Sequence, residues 1–155
     1  MKRLAFFCLC STLCATENVY LLPHRWQDAR HELTALIRSA PSGIVIVSDA
    51  VDDTYIRRAL RRALEKKKPV TFITGSEKTA SAWAIYASAD VCLLSAPGPL
   101  AFSLVVAGKR ACIVNLPLTT DALRERYGVM QCTDAGTFDE TITLLKQECK
   151  GYFDE

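Results

Sequence analysis

The sequence predicts an α/β domain in which a mixed β-sheet is flanked by helices on both faces. In the first half of the chain, apolar runs rich in β-branched residues, such as 44–48 and 70–74, alternate with segments of helical periodicity. This alternation is typical of parallel strands joined by helices. In the second half, two apolar runs flank Gly108 and Lys109, and this pattern predicts a hairpin with antiparallel strands. The chain has 155 residues, and we expect one domain over residues 16–155.

The first elements follow from the spacing of apolar residues. A strand at 19–22 precedes a helix at 27–40, which a Pro-Ser-Gly run ends. After the strand at 44–48, Asp52 or Asp53 caps a second helix, because a short carboxylate side chain there can accept hydrogen bonds from the first free backbone N–H groups. The apolar residues that share one face of the first helix are Ala29, Leu33, Leu36, Ile37 and Ala40.

The middle of the chain continues the alternation of strands and helices and then changes to a hairpin of two strands. The strand at 70–74 is followed by a helix at 77–88 and a strand at 91–95. The predicted hairpin pairs residues 99–107 with residues 110–116, and its turn requires a positive φ, which glycine accepts without strain.

The chain ends in a strand and a helix. Residues 129–133 form the strand, and Thr137 and Glu140 stand at the spacing of a capping box, which predicts that the last helix begins there. The apolar residues assigned to one face of this helix are Phe138, Ile142, Leu145 and Cys149.

The first fifteen residues have the pattern of a secretory signal. Lys2 and Arg3 precede an apolar run at 4–13, and Leu13-Cys14-Ala15 ends in a small residue where cleavage is expected. The run is too short to span a bilayer as a helix. Lipidation of a cysteine and an uncleaved N-terminal anchor are the alternatives. We expect an exported protein, periplasmic or secreted, or anchored to a membrane if the segment is kept.

Cleavage after Ala15 would change the charge and the cysteine count. It removes two of the 19 basic residues and none of the 17 acidic ones, so the mature chain is nearly neutral and polyanion binding needs a local patch. Four of the seven cysteines remain. They either form two disulfides, with three possible connectivities, or stay as buried thiols. These cysteines are Cys92, Cys112, Cys132 and Cys149.

Three stretches resemble a known family. They are "GIVIVSDAVDDTYIRRALRRALEKKKPVTFITG", "LVVAGKRACIV" and "LTTDALRERYGVMQC". Their order of strand, basic helix, strand and hairpin resembles the phospholipase D superfamily, specifically the small secreted Nuc-type endonucleases, from Val19 to the last helix. The resemblance implies a phospholipase D-like fold and pairing of two copies across the face that builds the family's joint active site; the family's own reaction is phosphodiester hydrolysis.

The family's catalytic motif is absent from the matched positions. Its chemistry lies in H-x-K-x4-D followed by G-S-x-N: one His attacks phosphorus, a second His protonates the leaving group, and Lys and Asn hold the phosphate oxygens. When Gly108 is matched to the turn of the hairpin, the functional positions are taken by Leu100, Phe102, Ala107, Val114, Asn115 and Pro117. No His follows His31 in the chain, so the resemblance implies a fold that has lost this mechanism.

Other residues give weaker indications of a site. His24 and His31 are either relocated nucleophiles or ordinary surface histidines. Ser48 and Asp49 end a strand, where α/β folds often place sites, but no third catalytic partner is evident. No recognised ligand spacing accompanies the carboxylates or cysteines, so we expect no metal and no cofactor.

A basic helix is the remaining functional signal. Its rows of cations lie away from its apolar face and are suited to DNA phosphates or an anionic membrane surface; the alternative is a solvated helix face. The candidate anion-binding residues are Arg57, Arg58, Arg61, Arg62, Lys66, Lys67 and Lys68.

These observations lead to one preferred hypothesis and two alternatives. The preferred one is an exported, catalytically inactive domain that acts as a binding or assembly subunit, for which the resemblance implies a homodimer. In it, the apolar replacements of the lost motif fill the former cleft or line an apolar pocket. The first alternative is a phosphodiesterase, a nuclease or phospholipase, that uses a displaced site or an active partner subunit. The second is a membrane-tethered module whose basic helix faces anionic lipid.

Overall fold

The computed structural model describes residues 18–96 and 98–150, and in this part of the chain eight strands form one sheet. The strands are β1 (Asn18–Leu22), β2 (Ile44–Val47), β3 (Val70–Thr74), β4 (Ala89–Leu94), β5 (Ser103–Ala107), β6 (Arg110–Val114), β7 (Gly128–Asp134) and β8 (Cys149–Lys150). The helices are α1 (Trp26–Arg38), α2 (Thr54–Glu65), α3 (Glu77–Ala84), α4 (Thr120–Glu125) and α5 (Asp139–Gln147).

The sheet is mixed, as the sequence predicts. Its strand order is β1-β7-β6-β5-β2-β3-β4-β8. Strands β2, β3 and β4 are parallel, because helices α2 and α3 return the chain to the same edge each time, and the other pairs are antiparallel. The β5–β6 hairpin turns at Gly108, whose φ of +60° lies in the left-handed region.

Each face of the sheet has its own apolar core. Side chains alternate along a strand, so Ile44 and Ile46 face one core whereas Val47 faces the other. Residues of α1, α2, α3 and α4 cover the first face, and Ile142 and Leu145 of α5 pack on the second. The predicted arrangement of helices on both faces is therefore confirmed.

Asp53 determines where α2 begins. Its buried carboxylate accepts hydrogen bonds from the backbone N–H groups of Tyr55 (3.0 Å) and Ile56 (3.1 Å). It also accepts one from the Thr120 hydroxyl at 2.8 Å and lies 3.8 Å from the Arg30 guanidinium. The cap is thus Asp53 and not Asp52, whose side chain is exposed.

The end of the chain differs from the prediction. The capping box at Thr137 and Glu140 is wrong: Asp134 caps a short 3-10 helix (Ala135–Phe138) by accepting from the Gly136 N–H group at 2.8 Å, and α5 follows from Asp139. Cys149 does not lie on the helix face, because the chain leaves α5 at Gln147 and pairs with β4 as β8.

Two helix boundaries also differ from the sequence pattern. Helix α3 ends at Ala84 and not near 88, because the chain turns to pair β4 with β3 from Ala89 onwards. Helix α4 was not predicted, since its six residues are too few for a periodic pattern; the Thr119 hydroxyl caps it by accepting from the Ala122 N–H group.

Two disulfides join the four cysteines that lie in the described part of the chain. Cys92 of β4 is bonded to Cys149 of β8, and Cys112 of β6 is bonded to Cys132, its cross-strand neighbour on β7. The structure therefore selects one of the three connectivities and does not contain the buried thiols that the sequence left open as the alternative.

The predicted signal at residues 1–15, with its cysteines, lies outside the described residues. Across 18–96 and 98–150, no helix has both the length and the apolar character needed to cross a membrane.

Candidate functional site

The positions matched to the family's catalytic motif lie on both faces of the sheet. Leu100 and Phe102 are half-buried and pack against the core of the second face, below α5. Ala107 and Val114 are buried in the core of the first face. The four apolar replacements therefore do not line one shared cleft, and each is part of the packing around it.

The two remaining motif positions, Asn115 and Pro117, lie in the connection that follows β6. The Asn115 side chain accepts a hydrogen bond from the Val129 N–H group at 2.8 Å and so helps to join the ends of β6 and β7. Pro117 is half-buried in the connection to α4. Neither residue offers a nucleophile or a cation to a phosphate group.

A buried pair of serines lies where β2 ends and β5 begins. The hydroxyls of Ser48 and Ser103 are 2.8 Å apart, and the two residues are 2% and 1% exposed. Their two hydroxyl protons are shared among three inward contacts, with each other and with the carbonyl oxygens of Ala50 and Leu116. Within the described residues no basic group contacts either hydroxyl, so nothing there activates a serine for attack.

Asp49 connects the ends of three segments. Its carboxylate accepts hydrogen bonds from the Gly75 N–H group (2.7 Å) and the Leu100 N–H group (2.6 Å). Its backbone carbonyl accepts one from the Thr79 hydroxyl. Leu100 is the position that the sequence analysis matched to the family's nucleophilic His, and the Asp49 carboxylate is bonded to its backbone.

We expect the Asp49→Ala variant to be less stable by about 2 kcal/mol, because two backbone N–H groups lose a charged hydrogen-bond partner. Urea unfolding measures the change. The matched control is Asp52→Ala, which removes an exposed neighbouring carboxylate and is expected to change stability by less than about 0.5 kcal/mol. Equal stability of the two variants would contradict the role assigned to Asp49.

The two histidines are exposed. His24 follows β1, with its ring centroid 6.4 Å from that of Tyr127, and His31 lies on the outer side of α1. Neither side chain makes a hydrogen bond or an ion pair with any other residue in the described part of the chain. Among residues 18–96 and 98–150, no third group orients either ring as an activated nucleophile requires.

The cations of α2 form an exposed basic face. We define this basic face as Arg57, Arg58, Arg61, Arg62, Lys66 and Lys67, all exposed and, within residues 18–96 and 98–150, without an ion-pair partner. Lys68 differs, because its ammonium group donates to the Ala40 carbonyl at 2.6 Å and is held against the end of α1. The sequence candidates are thus brought together, with Lys68 in a structural role.

A groove runs between α2 and α3. It has a volume of about 400 Å³ and lies at the carboxyl ends of β2 and β3. Two arginines of the basic face, Arg57 and Arg61, line it on one side and Lys78 on the other, together with Asp52 and Tyr86. Sequence reasoning did not find Lys78 or Tyr86 as site residues. The sequence feature that could have pointed to Lys78 is its position in the first turn of α3, directly after β3.

One group of potential metal ligands occurs in the described residues, and it does not form a metal site. It consists of Glu32, Cys112 and Cys132, but both cysteines are consumed by their disulfide. The Glu32 carboxylate instead pairs with Arg110 at 3.0 Å and accepts from the Tyr20 hydroxyl at 3.4 Å. Burial, and then the charge of Glu32, raise the pKa of Tyr20 above its ordinary value.

Comparison with solved structures identifies the fold. NucT from Helicobacter pylori superposes with a TM-score of 0.76 at 20% sequence identity, over 88% of this chain and 98% of that one. Nuc from Salmonella typhimurium, a phospholipase D family member, gives a TM-score of 0.69 at 16% identity, over 87% and 96% of the two chains. The chain therefore has a phospholipase D-like fold of the Nuc type, as the sequence resemblance implies.

A third similar structure comes from a protein of a different kind. TrmBL2, an archaeal chromatin protein whose structure shows a novel mode of DNA binding, gives a TM-score of 0.58 at 11% identity, over 92% of this chain and 56% of that one. No protein-family model and no curated protein sequence matches the chain.

Proposed function

We propose that this chain is an exported phospholipase D-like domain that does not hydrolyse phosphodiesters and binds double-stranded DNA through the basic face of α2. The exposed, unpaired arginines of that face carry the proposal. A protein that places several free cations along one helix gains affinity for the phosphate backbone by releasing counterions, whatever the base sequence.

Inactivity is supported by the residues at the matched motif. Leucine cannot accept a phosphoryl group, and Phe102 cannot stabilise its charge as a lysine would. Asp49 adds a negative charge next to Leu100, and a like charge opposes the approach of a phosphodiester. A partner subunit with a complete motif would supply only one half of a mechanism that needs two histidines.

Binding without hydrolysis is compatible with the fold. TrmBL2 resembles this chain in structure, and its own structure shows DNA binding. Export is supported by the two disulfides, because such bonds persist in oxidising compartments. Assembly as a homodimer stays a prediction that rests on the family resemblance.

The alternative is a phosphodiesterase, which the likeness to Nuc and NucT favours at the level of the fold. It would use either an active partner subunit or a displaced site, and a displaced histidine nucleophile could only be His24 or His31, since the chain has no other histidine. Both lie near β1 and α1, and this alternative would therefore place catalysis away from the strands that carry the motif in the family.

Hydrolysis assays separate the two functions. We expect the purified protein to leave bis-p-nitrophenyl phosphate and plasmid DNA intact, both with and without EDTA. Turnover that survives EDTA and disappears in His24→Ala or His31→Ala would establish the alternative and overturn the proposal.

DNA binding is tested by the anisotropy of a fluorescein-labelled duplex at several salt concentrations. We expect Arg58→Ala/Arg62→Ala/Lys66→Ala to lower affinity at least about tenfold and to reduce the slope of log K against log salt by about 3. The control, Lys109→Ala/Lys146→Ala/Lys150→Ala, removes the same charge from exposed positions elsewhere.

Equal loss of affinity in the two triple variants would mean that net charge and not the basic face governs binding, and would contradict the proposal. Flotation with phosphatidylglycerol vesicles tests the membrane-tethered alternative. Vesicle binding that depends on the basic face, with no duplex binding at physiological salt, would replace DNA by anionic lipid as the partner.

A further inference from the structure

The groove between α2 and α3 differs in its lining from the rest of the basic face. Its volume of about 400 Å³ lies in the range of pockets that hold small molecules, roughly 300–1,000 Å³. It combines cations on its walls with the aromatic side chains of Trp83 and Tyr86, whereas the neighbouring cavity on α2 is lined by four arginines, Thr54 and Glu65. Contact with the phosphate backbone of DNA requires cations but no aromatic side chains.

We propose that this groove binds a nucleoside phosphate. Arg57 and Arg61 are one helical turn apart and therefore project to the same side of α2, and Lys78 faces them from α3. In the described part of the chain none of the three has an ion-pair partner. Cations that converge on a cavity from two helices form a subsite for a dianionic phosphate, with guanidinium groups that can bind its oxygens in pairs.

The charges of the groove favour an anion despite its two carboxylates. Both oxygens of Asp49, which also lines the groove, already accept backbone hydrogen bonds, from Gly75 and from Leu100, and these bonds offset part of its charge. Asp52 is exposed and makes no side-chain hydrogen bond in the described residues. Its carboxylate is free to accept from an amino group, such as the exocyclic amine of adenine.

The aromatic end of the groove suits a nucleobase. The Trp83 ring is buried and stacked on Phe72 at 4.5 Å between centroids, which fixes its position. The Tyr86 ring lies 5.9 Å from it and is half-buried, so one part of it remains open to the groove. Stacking on such rings is the usual way in which proteins hold a base irrespective of its sequence context.

This inference goes beyond the proposed DNA binding and can stand without it. The groove shares Arg57 and Arg61 with the basic face, but Lys78, Trp83 and Tyr86 belong to the groove alone, and Arg58, Arg62 and Lys66 do not line it. Loss of DNA binding in the triple variant described above would therefore leave the nucleoside phosphate site intact.

Isothermal titration calorimetry at 150 mM NaCl tests the site with AMP, ribose 5-phosphate, adenosine and inorganic phosphate. We expect AMP to bind at least about tenfold more tightly than any of the other three, because only AMP fills both subsites. Lys78→Ala is expected to weaken AMP binding about tenfold or more, through loss of a charged hydrogen bond. Tyr86→Ala is expected to weaken AMP binding and to leave the binding of ribose 5-phosphate unchanged.

The matched control is Arg62→Ala, which removes a cation of the same helix outside the groove and is expected to bind AMP as the wild type does. Circular dichroism checks that each variant is folded. Absence of saturable AMP binding, equal affinities for AMP and inorganic phosphate, or equal loss in Lys78→Ala and Arg62→Ala would each overturn the proposal.

Discussion

Replacement of the Cys92–Cys149 disulfide by alanines is expected to lower the free energy of unfolding by about 4 kcal/mol, the loop entropy of a cross-link that closes about 57 residues. The disulfide also holds the last elements on the sheet. Strand β8 has two residues, and α5 has no fully buried side chain among those described. Urea unfolding of Cys92→Ala/Cys149→Ala measures the loss.

Hydrogen exchange adds a local readout. We expect the amides of α5 and β8 to lose protection in this variant while those of β2 and β3 keep it, because the packing of Ile142 and Leu145 and the two-residue pairing of β8 with β4 then hold the C-terminal elements without a covalent link. Unchanged protection of α5 would show that apolar packing by itself holds the helix.

The control is the other disulfide, Cys112–Cys132, which joins strands that already pair along β6 and β7. Its separation of 20 residues predicts a loss of about 3 kcal/mol and no local release of α5. The longer loop predicts the larger loss of stability. A larger loss in Cys112→Ala/Cys132→Ala than in Cys92→Ala/Cys149→Ala would therefore contradict this prediction.

The second large effect is expected from Asp53→Ala, which should destabilise the protein by about 3 kcal/mol, since it removes a helix cap and leaves buried donors without an acceptor. The carboxylate is 0% exposed and serves two N–H groups of α2 and the hydroxyl of Thr120. It thereby joins the start of α2 to α4. Thermal and urea unfolding measure the change.

Asp53→Asn separates the cap from the charge. The side-chain oxygen of the asparagine can still accept hydrogen bonds from the first N–H groups of α2. We therefore expect this variant to keep about half of the stability that Asp53→Ala loses. The remainder belongs to the second carboxylate oxygen, which accepts from the Thr120 hydroxyl and faces the Arg30 guanidinium at 3.8 Å. That guanidinium also lies over the rings of Trp26 (4.6 Å) and Tyr55 (4.1 Å). Equal stability of the Asn and Ala variants would show that the cap contributes little, and Asp52→Ala again serves as the exposed control.

Local sequence patterns determined much of this protein. The β-branched runs and the helical spacing predict β2, α2 and β3, since periodicity reports which side of an element is buried. The same spacing places Arg57 and Arg61 away from the apolar side of α2. The absence of histidine after His31 is a property of composition, and no fold can supply the missing side chain.

Only the tertiary structure decided which distant residues meet. Asp49 and Leu100 are 51 residues apart, and nothing in either neighbourhood indicates that a carboxylate of one segment binds the backbone of the other. The pairing of Cys92 with Cys149 depends on a two-residue strand too short to leave a pattern. The groove of Arg57, Lys78 and Tyr86 likewise exists because two parallel crossovers place α2 beside α3. Such contacts depend on chain closure and packing over long separations, which local periodicity does not encode.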